Sequence, residues 1–211
     1  MKQIGIFGTS GMARETGDIA EALGLTPIYV THDPIQREHW ALTAELVLET
    51  DVERYNSLSF IIGIADPEIR KSIAQRFGHS LRFANLIHPT ASFGNQQRQV
   101  LENSRGTIVA AGTRFTNGIS VGEFCIFNQN TTIAHDSIIE SFVHIAPGAN
   151  VSGNVHIKEG CWVGAGAVIN QGSELSKLKI GPKTTIGSGA VVVSNCAAQS
   201  VYAGVPAQKI K

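Results

Sequence analysis

Apolar residues in the C-terminal part of the chain recur at every sixth position. Small or thiol side chains, such as Thr113, Cys125 and Ala149, lie four residues after most of them. Helices repeat every 3.6 residues and strands every 2, so neither produces this period, whereas hexapeptide β-solenoids do. We therefore predict a triangular prism whose interior is filled by the apolar series and whose corners hold the small residues. The series is Val109, Phe115, Val121, Phe127, Ile133, Ile139, Ile145, Val151, Ile157, Val163, Ile169 and Leu175.

Two segments interrupt this period. After Leu175 the apolar positions slip by five residues and resume at Ile180, Ile186 and Val192. An insertion in a solenoid must loop outward, and we assign it to 173–177. The polar segment 95–106 is predicted to be a second external loop.

The first 85 residues alternate strand and helix patterns. Strands are predicted at 4–7, 26–31 and 58–65, with a short last one at 81–86, and helices follow Gly11 and Pro67. This βαβ order indicates a parallel sheet. The expected fold class is α/β + β, in which a small Rossmann-like domain (1–85) precedes a left-handed parallel β-helix (86–211).

Composition excludes several classes of function. The 211 residues carry 17 basic and 17 acidic side chains, so no bulk charge attracts nucleic acid or a membrane surface. No apolar run approaches the roughly 20 residues that span a bilayer, and the N-terminus does not resemble a signal peptide. Cys125, Cys161 and Cys196 cannot all pair and lack CxxC spacing, which favours a reducing cytoplasm.

The charge is distributed unevenly. After Glu174 there is no acidic residue, yet five lysines follow: Lys177, Lys179, Lys183, Lys209 and Lys211. A cationic end of a solenoid suits a polyanionic group such as the phosphates of a coenzyme. Alternatively, these lysines only keep the last coil soluble.

Three histidines of the solenoid are predicted to point away from its interior. His135 lies two residues past an apolar position, while His144 and His156 each directly precede one. Asp136 could orient His135 and support its basic form. The alternatives are an ordinary surface group or a zinc site, and zinc is disfavoured because the HxxxxH spacing of γ-class carbonic anhydrases is missing.

Small residues are predicted to stack beside this chemistry. Gly153 follows His135 by one coil, where its amide could approach a thioester oxyanion. Ala165 and Ser188 share a row once the insertion is removed, which leaves a groove for a linear pantetheine arm.

The N-terminal domain has its own candidate binding residues. The segment Gly8-Thr9-Ser10-Gly11 at a strand–helix junction is typical of a phosphate cradle, although it lacks a full GxGxxG. Asp33 and Asp66 follow the second and third strands, at the same end of the sheet. A turn or helix-cap role explains these residues equally well.

The assembled segments resemble the family of sialic acid O-acetyltransferases and bacillosamine N-acetyltransferases. The likeness covers nearly the whole chain and is carried by Gly8 to Gly11, 66–70, 86–91, 133–136, 142–147 and 204–207. The resemblance implies a homotrimer with active sites between subunits and acetyl-coenzyme A as donor, and the histidine spacing leads us to predict no metal. It implies a sugar acceptor, often nucleotide-linked, for surface glycan.

The resemblance also implies roles for individual residues. His135 would be the general base and Asp136 its orienting partner. His144 from the facing subunit would contact the acetyl carbonyl, the Gly153 amide would stabilise the oxyanion, and Ala165 and Ser188 would line the pantetheine path. Gly8, Ser10, Gly11, Asp33 and Asp66 would hold the nucleotide or sugar.

Two positions depart from the family pattern. Met12 stands where nucleotide amino-sugar acetyltransferases usually carry His, and Ala134 stands where Glu often precedes the base. We predict N-acetylation of a nucleotide-linked amino sugar by direct transfer. O-acetylation of a sialic-acid-like sugar and a non-catalytic trimeric scaffold remain as alternatives.

Overall fold

The computed structural model of the chain describes residues 2–38 and 40–211, and its N-terminal part is built on a parallel five-stranded sheet. The strand order is β3-β2-β1-β4-β5, which is Rossmann-like. The edge strand β3 was not predicted, since it has only three residues. The strands are β1 (Lys2–Phe7), β2 (Leu25–Thr31), β3 (Leu46–Leu48), β4 (Ser59–Ile62) and β5 (Arg82–Phe83).

Helices connect these strands. Helix α1 (Gly11–Ala22) follows β1, and the short α2 (Pro34–Glu38) follows β2. A 3₁₀ helix (Glu49–Tyr55) leads into β4, and α3 (Pro67–Phe77) leads into β5. Helix α3 starts where Pro67 follows its N-cap Asp66, because proline's missing N–H costs nothing in a first turn.

The C-terminal part is a left-handed parallel β-helix with three faces. The first face comprises β6 (Leu86–Ile87), β8 (Ile108–Val109), β11 (Ile126–Phe127), β14 (His144–Ile145), β17 (Trp162–Val163), β20 (Thr185–Ile186), β22 (Val201–Ala203) and β23 (Gln208–Lys209). The second comprises β7 (Ser92–Phe93), β9 (Arg114–Phe115), β12 (Thr132–Ile133), β15 (Asn150–Val151), β18 (Val168–Ile169) and β21 (Val191–Val192). The third comprises β10 (Ser120–Val121), β13 (Ile138–Ile139), β16 (Val155–Ile157) and β19 (Leu178–Ile180).

The register of the coils follows the apolar period. Ser120 pairs with Ile138, eighteen positions later, whereas Val155 pairs with Leu178, twenty-three positions later, because of the insertion. The apolar series fills the interior except for Leu175, which is fully exposed at the tip of the loop. Its interior place is taken by Ile180, which pairs with Ile157. The prediction that Leu175 belongs to the core series is therefore wrong.

The segment 95–106 is more than an external loop. It contains helix α4 (Gln97–Glu102), whose Leu101 is completely buried in the solenoid core. The side-chain amide of Gln97 donates to the Ile119 carbonyl at 2.8 Å and accepts from the Ile119 N–H at 3.0 Å. Helix α4 thus takes the place of a third-face strand in the first coil and covers the end of the core.

The N-terminal sheet packs against the β-helix through buried contacts. Met12 and Ala13 of α1 share a cluster with Ile108 and Ile126 of the first face. The buried guanidinium of Arg70 on α3 donates to carbonyls on both sides, including Ala65 and Phe142. Two ion pairs, Lys71–Glu159 and Glu68–Lys183, join α3 to the solenoid surface.

The predicted fold class is confirmed. The N-terminal sheet ends at Phe83 and the first coil begins at Leu86, and the division into domains 1–85 and 86–211 stays a prediction. Within the described residues, no helix combines the length and apolar character needed to cross a membrane.

Candidate active site

A cavity of about 460 Å³ opens at the carboxyl ends of the N-terminal strands. Gly8 and Ser10 line it from the loop after β1, and Ile64 lines it from the loop after β4. It therefore lies where the strand order reverses, which is where α/β sheets bind ligands. Ser10 is the N-cap residue of α1 but its hydroxyl makes no capping bond, so it is available to a ligand.

A polar network on one wall of this cavity was missed in the sequence. The hydroxyls of Thr9 and Thr31 both donate to Oε1 of Gln36, at 2.7 and 2.8 Å. Because Oε1 is occupied twice, the Gln36 amide group is held with its two N–H donors free for a ligand. Thr9, Thr31 and Gln36 belong to a loop, a strand and a helix, so no sequence motif indicates that they come together.

An ion pair also lines the cavity. Arg76 of α3 pairs with Glu49 at 3.0 Å, where the carboxylate is mostly buried. Ile69 of α3 lies on the cavity wall as well and is 49% exposed, so an apolar side chain is open to a ligand there. Glu49 follows the unpredicted strand β3, which explains why it was overlooked.

Three other predicted ligands of the nucleotide or sugar lie beside the cavity rather than in its lining. Asp33 Oδ1 accepts from the Ile35 N–H at 2.9 Å at the start of α2. Asp66 Oδ1 accepts from Glu68 and Ile69 N–H groups at 2.9 and 3.0 Å, which caps α3. Gly11 is the exposed first residue of α1. The helix-start role left open for Asp33 and Asp66 is the one that the structure displays.

The corner between the second and third faces, here called the His135 corner, holds an exposed imidazole–carboxylate pair. His135 Nδ1 lies 2.8 Å from Asp136 Oδ2, with 45% and 54% of the side chains exposed. In the coil above, a Cβ on Gly153 would approach the ring to 2.4 Å from Nε2. In the coil below, a Cβ on Gly118 would lie 2.7 Å from Asp136 Oδ1. Glycine is therefore required on both sides of the pair.

The predicted coenzyme residues do not all converge within one chain. Ala165 and Ser188 are exposed and stacked, since the Gly189 N–H donates to the Ala165 carbonyl at 2.9 Å. They lie at the corner between the first and second faces, whereas Gly153 lies at the His135 corner. The two sets could meet only if corners of different copies faced each other.

His144 does not point into solvent as predicted. Its ring stacks on Trp162 at a centroid distance of 4.0 Å, lies 3.1 Å from the Asn128 amide and is 2% exposed. Burial against the N-terminal domain, and to a smaller extent the charge of Arg70, together lower its pKa to about 3. The His144 ring cannot contact a coenzyme here, because it points outward from the β-helix into the surface that the N-terminal domain covers.

His156 and the three cysteines are not available as catalytic groups. His156 Nε2 lies 2.7 Å from Glu140 Oε1, and the part of the chain that the structure describes holds no cluster of three His, Cys, Asp or Glu fit for a metal ion. Burial raises the thiol pKa of Cys125 and Cys161 to about 12 and that of Cys196 to about 11. None of these cysteines is a thiolate near neutral pH.

Comparisons with known proteins agree with this architecture. Residues 3–77 match the family model described as the PglD N-terminal domain. GDP-perosamine N-acetyltransferase from Escherichia coli is 29% identical over 190 residues, which is 86% of this chain and 84% of that protein.

Two solved structures share the whole fold. PerB from Caulobacter crescentus, in complex with CoA and GDP-perosamine, has a TM-score of 0.87 at 24% identity, covering 100% of this chain and 98% of PerB. The acetyltransferase domain of PglB from Neisseria gonorrhoeae, in complex with acetyl coenzyme A, has a TM-score of 0.86 at 23% identity, covering 99% of each chain.

A Rossmann-like domain on a left-handed β-helix, together with these relatives, defines the chain as an acyltransferase. The E. coli relative, which matches most of the chain, is an N-acetyltransferase of GDP-perosamine. The resemblance to the hexapeptide-repeat family of sialic acid O-acetyltransferases and bacillosamine N-acetyltransferases is thereby confirmed, and the scaffold alternative is set aside.

Proposed function

We propose that the chain transfers an acetyl group from acetyl-coenzyme A to the amino group of a nucleotide-linked amino sugar. The observation that carries the proposal is the exposed His135–Asp136 pair on the β-helix, in a chain whose N-terminal domain contains a ligand-sized cavity. The E. coli relative is a GDP-perosamine N-acetyltransferase, and PerB binds CoA and GDP-perosamine. Both names support a nucleotide-linked acceptor.

In the proposed mechanism His135 is the general base. Asp136 accepts from Nδ1, which leaves Nε2 unprotonated and able to take a proton from the sugar amine as the amine attacks the thioester carbonyl. The developing oxyanion would be stabilised by the Gly153 amide. Collapse of the tetrahedral adduct then expels the thiolate of coenzyme A, and the proton on His135 passes to it.

Direct transfer is favoured over an acyl-enzyme. The thiols of Cys125, Cys161 and Cys196 are buried in the interior and kept protonated. Within the described residues, no cysteine thiol is exposed beside His135. Direct transfer in a ternary complex requires no nucleophile from the protein.

The acceptor would bind through the cavity in the N-terminal domain. The loop from Gly8 to Gly11 and the N–H donors of Gln36 suit the phosphates or base of a nucleotide. The separation of Ala165 and Ser188 from the His135 corner supports a homotrimer in which one copy supplies the coenzyme wall and its neighbour supplies the base. The reducing cytoplasm, where acetyl-coenzyme A and nucleotide sugars occur, is the proposed compartment.

The experiment that tests the acceptor class is thiol release from acetyl-coenzyme A. UDP-, GDP- and dTDP-linked 4-amino sugars would be compared with free nonulosonic acids. Turnover with a nucleotide amino sugar is the expected result. Turnover with a nonulosonic acid alone would make the chain an O-acetyltransferase, in line with Met12 replacing the family's histidine.

The role of His135 is tested by His135→Ala. We expect kcat to fall by about 10²–10⁴-fold with little change in acetyl-coenzyme A binding, because the base acts only in the chemical step. His79→Ala is the matched control, since His79 is exposed on the N-terminal domain. Normal turnover of the His135 variant would overturn the proposed mechanism, whichever acceptor is used.

A further inference from the structure

The loop 173–177 emerges directly above the His135 corner. Its base is tied to the coil beneath, since the Gly172 N–H donates to the Gly153 carbonyl and the Leu178 N–H donates to the Asn154 carbonyl, both at 3.1 Å. The Asn154 N–H in turn donates to the His135 carbonyl at 2.9 Å. The insertion therefore stands on the column of residues that contains the proposed base.

The loop is closed by its own hydrogen bonds. Ser173 and Ser176 exchange backbone N–H to carbonyl bonds at 3.0 and 3.2 Å, and the Ser173 hydroxyl also accepts from the Ser176 N–H at 3.0 Å. The tight turn leaves Leu175 at the tip and places Lys177 at the point where the chain re-enters the third face. The position of Lys177 is therefore set by the insertion.

Lys177 reaches down across two coils. Its ammonium group donates to Asn154 Oδ1 at 3.3 Å and to the backbone carbonyl of Asp136. Asp136 and Asn154 occupy the same corner position in successive coils, and both have left-handed backbone, with φ of 60° and 57°. An ammonium group with three donors can hold both residues at once.

This contact acts on the residue that orients the base. Left-handed backbone is less favourable for a residue with a Cβ than for glycine, although Asp tolerates it better than most, so a contact to its carbonyl helps to fix Asp136 in place. Its carbonyl is held by Lys177, while its carboxylate lies 2.8 Å from His135 Nδ1. A shift of the Asp136 backbone would move the carboxylate and release the imidazole.

We propose that Lys177 is a positioning residue for acetyl transfer, which holds Asp136 and through it the His135 ring. The proposal rests on the proposed role of His135. It differs from the alternative in which the C-terminal lysines bind the phosphates of a coenzyme. A phosphate-binding lysine changes KM for acetyl-coenzyme A, whereas a positioning lysine changes kcat.

The test is Lys177→Met, which keeps the length of the side chain and removes the donors. We expect kcat to fall by about 10- to 100-fold with KM for both substrates unchanged, since small displacements of catalytic groups cost rates of this order. The melting temperature should shift by at most about 4 °C, because a partly exposed surface contact is lost. Lys2→Met changes an exposed lysine at the start of β1, at the end of the sheet opposite the cavity, and is the control that should leave kcat and both KM values unchanged.

A double variant separates positioning from other effects. In the His135→Ala background, Lys177→Met should cause no further loss of kcat, because its effect passes through the histidine. Lys177→Arg, which retains donors, should recover most of the loss. An additive loss in the double variant, or a rise in KM for acetyl-coenzyme A alone, would overturn the proposal.

Failure of this proposal is distinguishable from failure of the proposed function. If His135→Ala is inactive and Lys177→Met has normal kcat, only the positioning role is lost. If His135→Ala itself is normal, the general-base mechanism is wrong and Lys177 has nothing to position.

Discussion

At the scale of single residues, the geometry of the His135–Asp136 pair depends on glycines in neighbouring coils. Gly118 lies at a left-handed corner, with φ of 65°, directly beneath the Asp136 carboxylate. A methyl group there would lie 2.7 Å from Oδ1, which is closer than real Cβ contacts. The absence of a side chain at Gly118 thus allows the carboxylate to reach His135.

Gly118→Ala tests this dependence. We expect turnover to fall by about 10-fold or more, because Asp136 must move away from the new methyl group and the imidazole loses its partner. Gly148→Ala is the matched control, since Gly148 has φ of 68° and open space around its Cβ position. Both variants pay a similar backbone cost of about 1 kcal/mol, so equal turnover in the two would contradict the prediction.

At the scale of elements, helix α4 substitutes for a strand. The buried Gln97 amide satisfies both backbone groups of Ile119, as a neighbouring strand would. Leu101 from the same helix completes the core beneath it. A helix can therefore end a β-helix while the N–H and carbonyl of Ile119 in the next coil stay paired.

The prediction for this element is that Gln97→Ala lowers the free energy of unfolding by about 2–4 kcal/mol. The reason is that one N–H and one carbonyl of Ile119 lose their partner while they remain buried. Urea denaturation measures the change, with Gln99→Ala, exposed on the same helix, as control. A loss below about 1 kcal/mol would mean that water or a rearranged helix replaces the amide.

At the scale of the whole molecule, the interface between the N-terminal sheet and the β-helix buries two basic side chains. Arg70 has five backbone carbonyls within hydrogen-bond distance, including those of Ile64 and Val143, and burial lowers its pKa to about 10, so it stays charged. His144 lies nearby and stays neutral, with its pKa lowered to about 3. The interface thus accommodates one cation and excludes a second.

This arrangement predicts a pH dependence of stability. The unfolded chain binds a proton at the ordinary histidine pKa near 6.5, whereas the folded chain does so near 3. The contribution of His144 to the free energy of unfolding is therefore constant above about pH 6.5. It falls by about 1.4 kcal/mol per pH unit between these values.

The measurement is urea denaturation from pH 7.5 to pH 5, comparing the chain with His144→Phe, which retains stacking on Trp162. The variant should lose less stability on acidification, by about 1 kcal/mol or more at pH 5. His144→Gln is a second comparison if the Phe variant folds poorly. Parallel curves for the chain and both variants would show that His144 is solvated in the folded state.

Several features of the molecule followed directly from the order of residues. The six-residue period predicted the prism, the register between coils and the place of the insertion, and the βαβ order predicted the N-terminal sheet. It also placed His135 and Asp136 on an outward corner, beneath Gly153. These features are local or periodic, so the identity of each residue and its neighbours suffices to predict them.

Other features were decided only by the tertiary structure. The direction of His144 was predictable, but its burial depends on a domain that folds from distant residues and covers that face. Two other contacts likewise join segments that are separate along the chain. Gln36 Oε1 accepts from both Thr9 and Thr31, and the Lys177 ammonium group donates to the Asp136 carbonyl. Periodicity specifies which way a side chain points, whereas its partners depend on how separate elements pack, and that is not encoded in any local pattern.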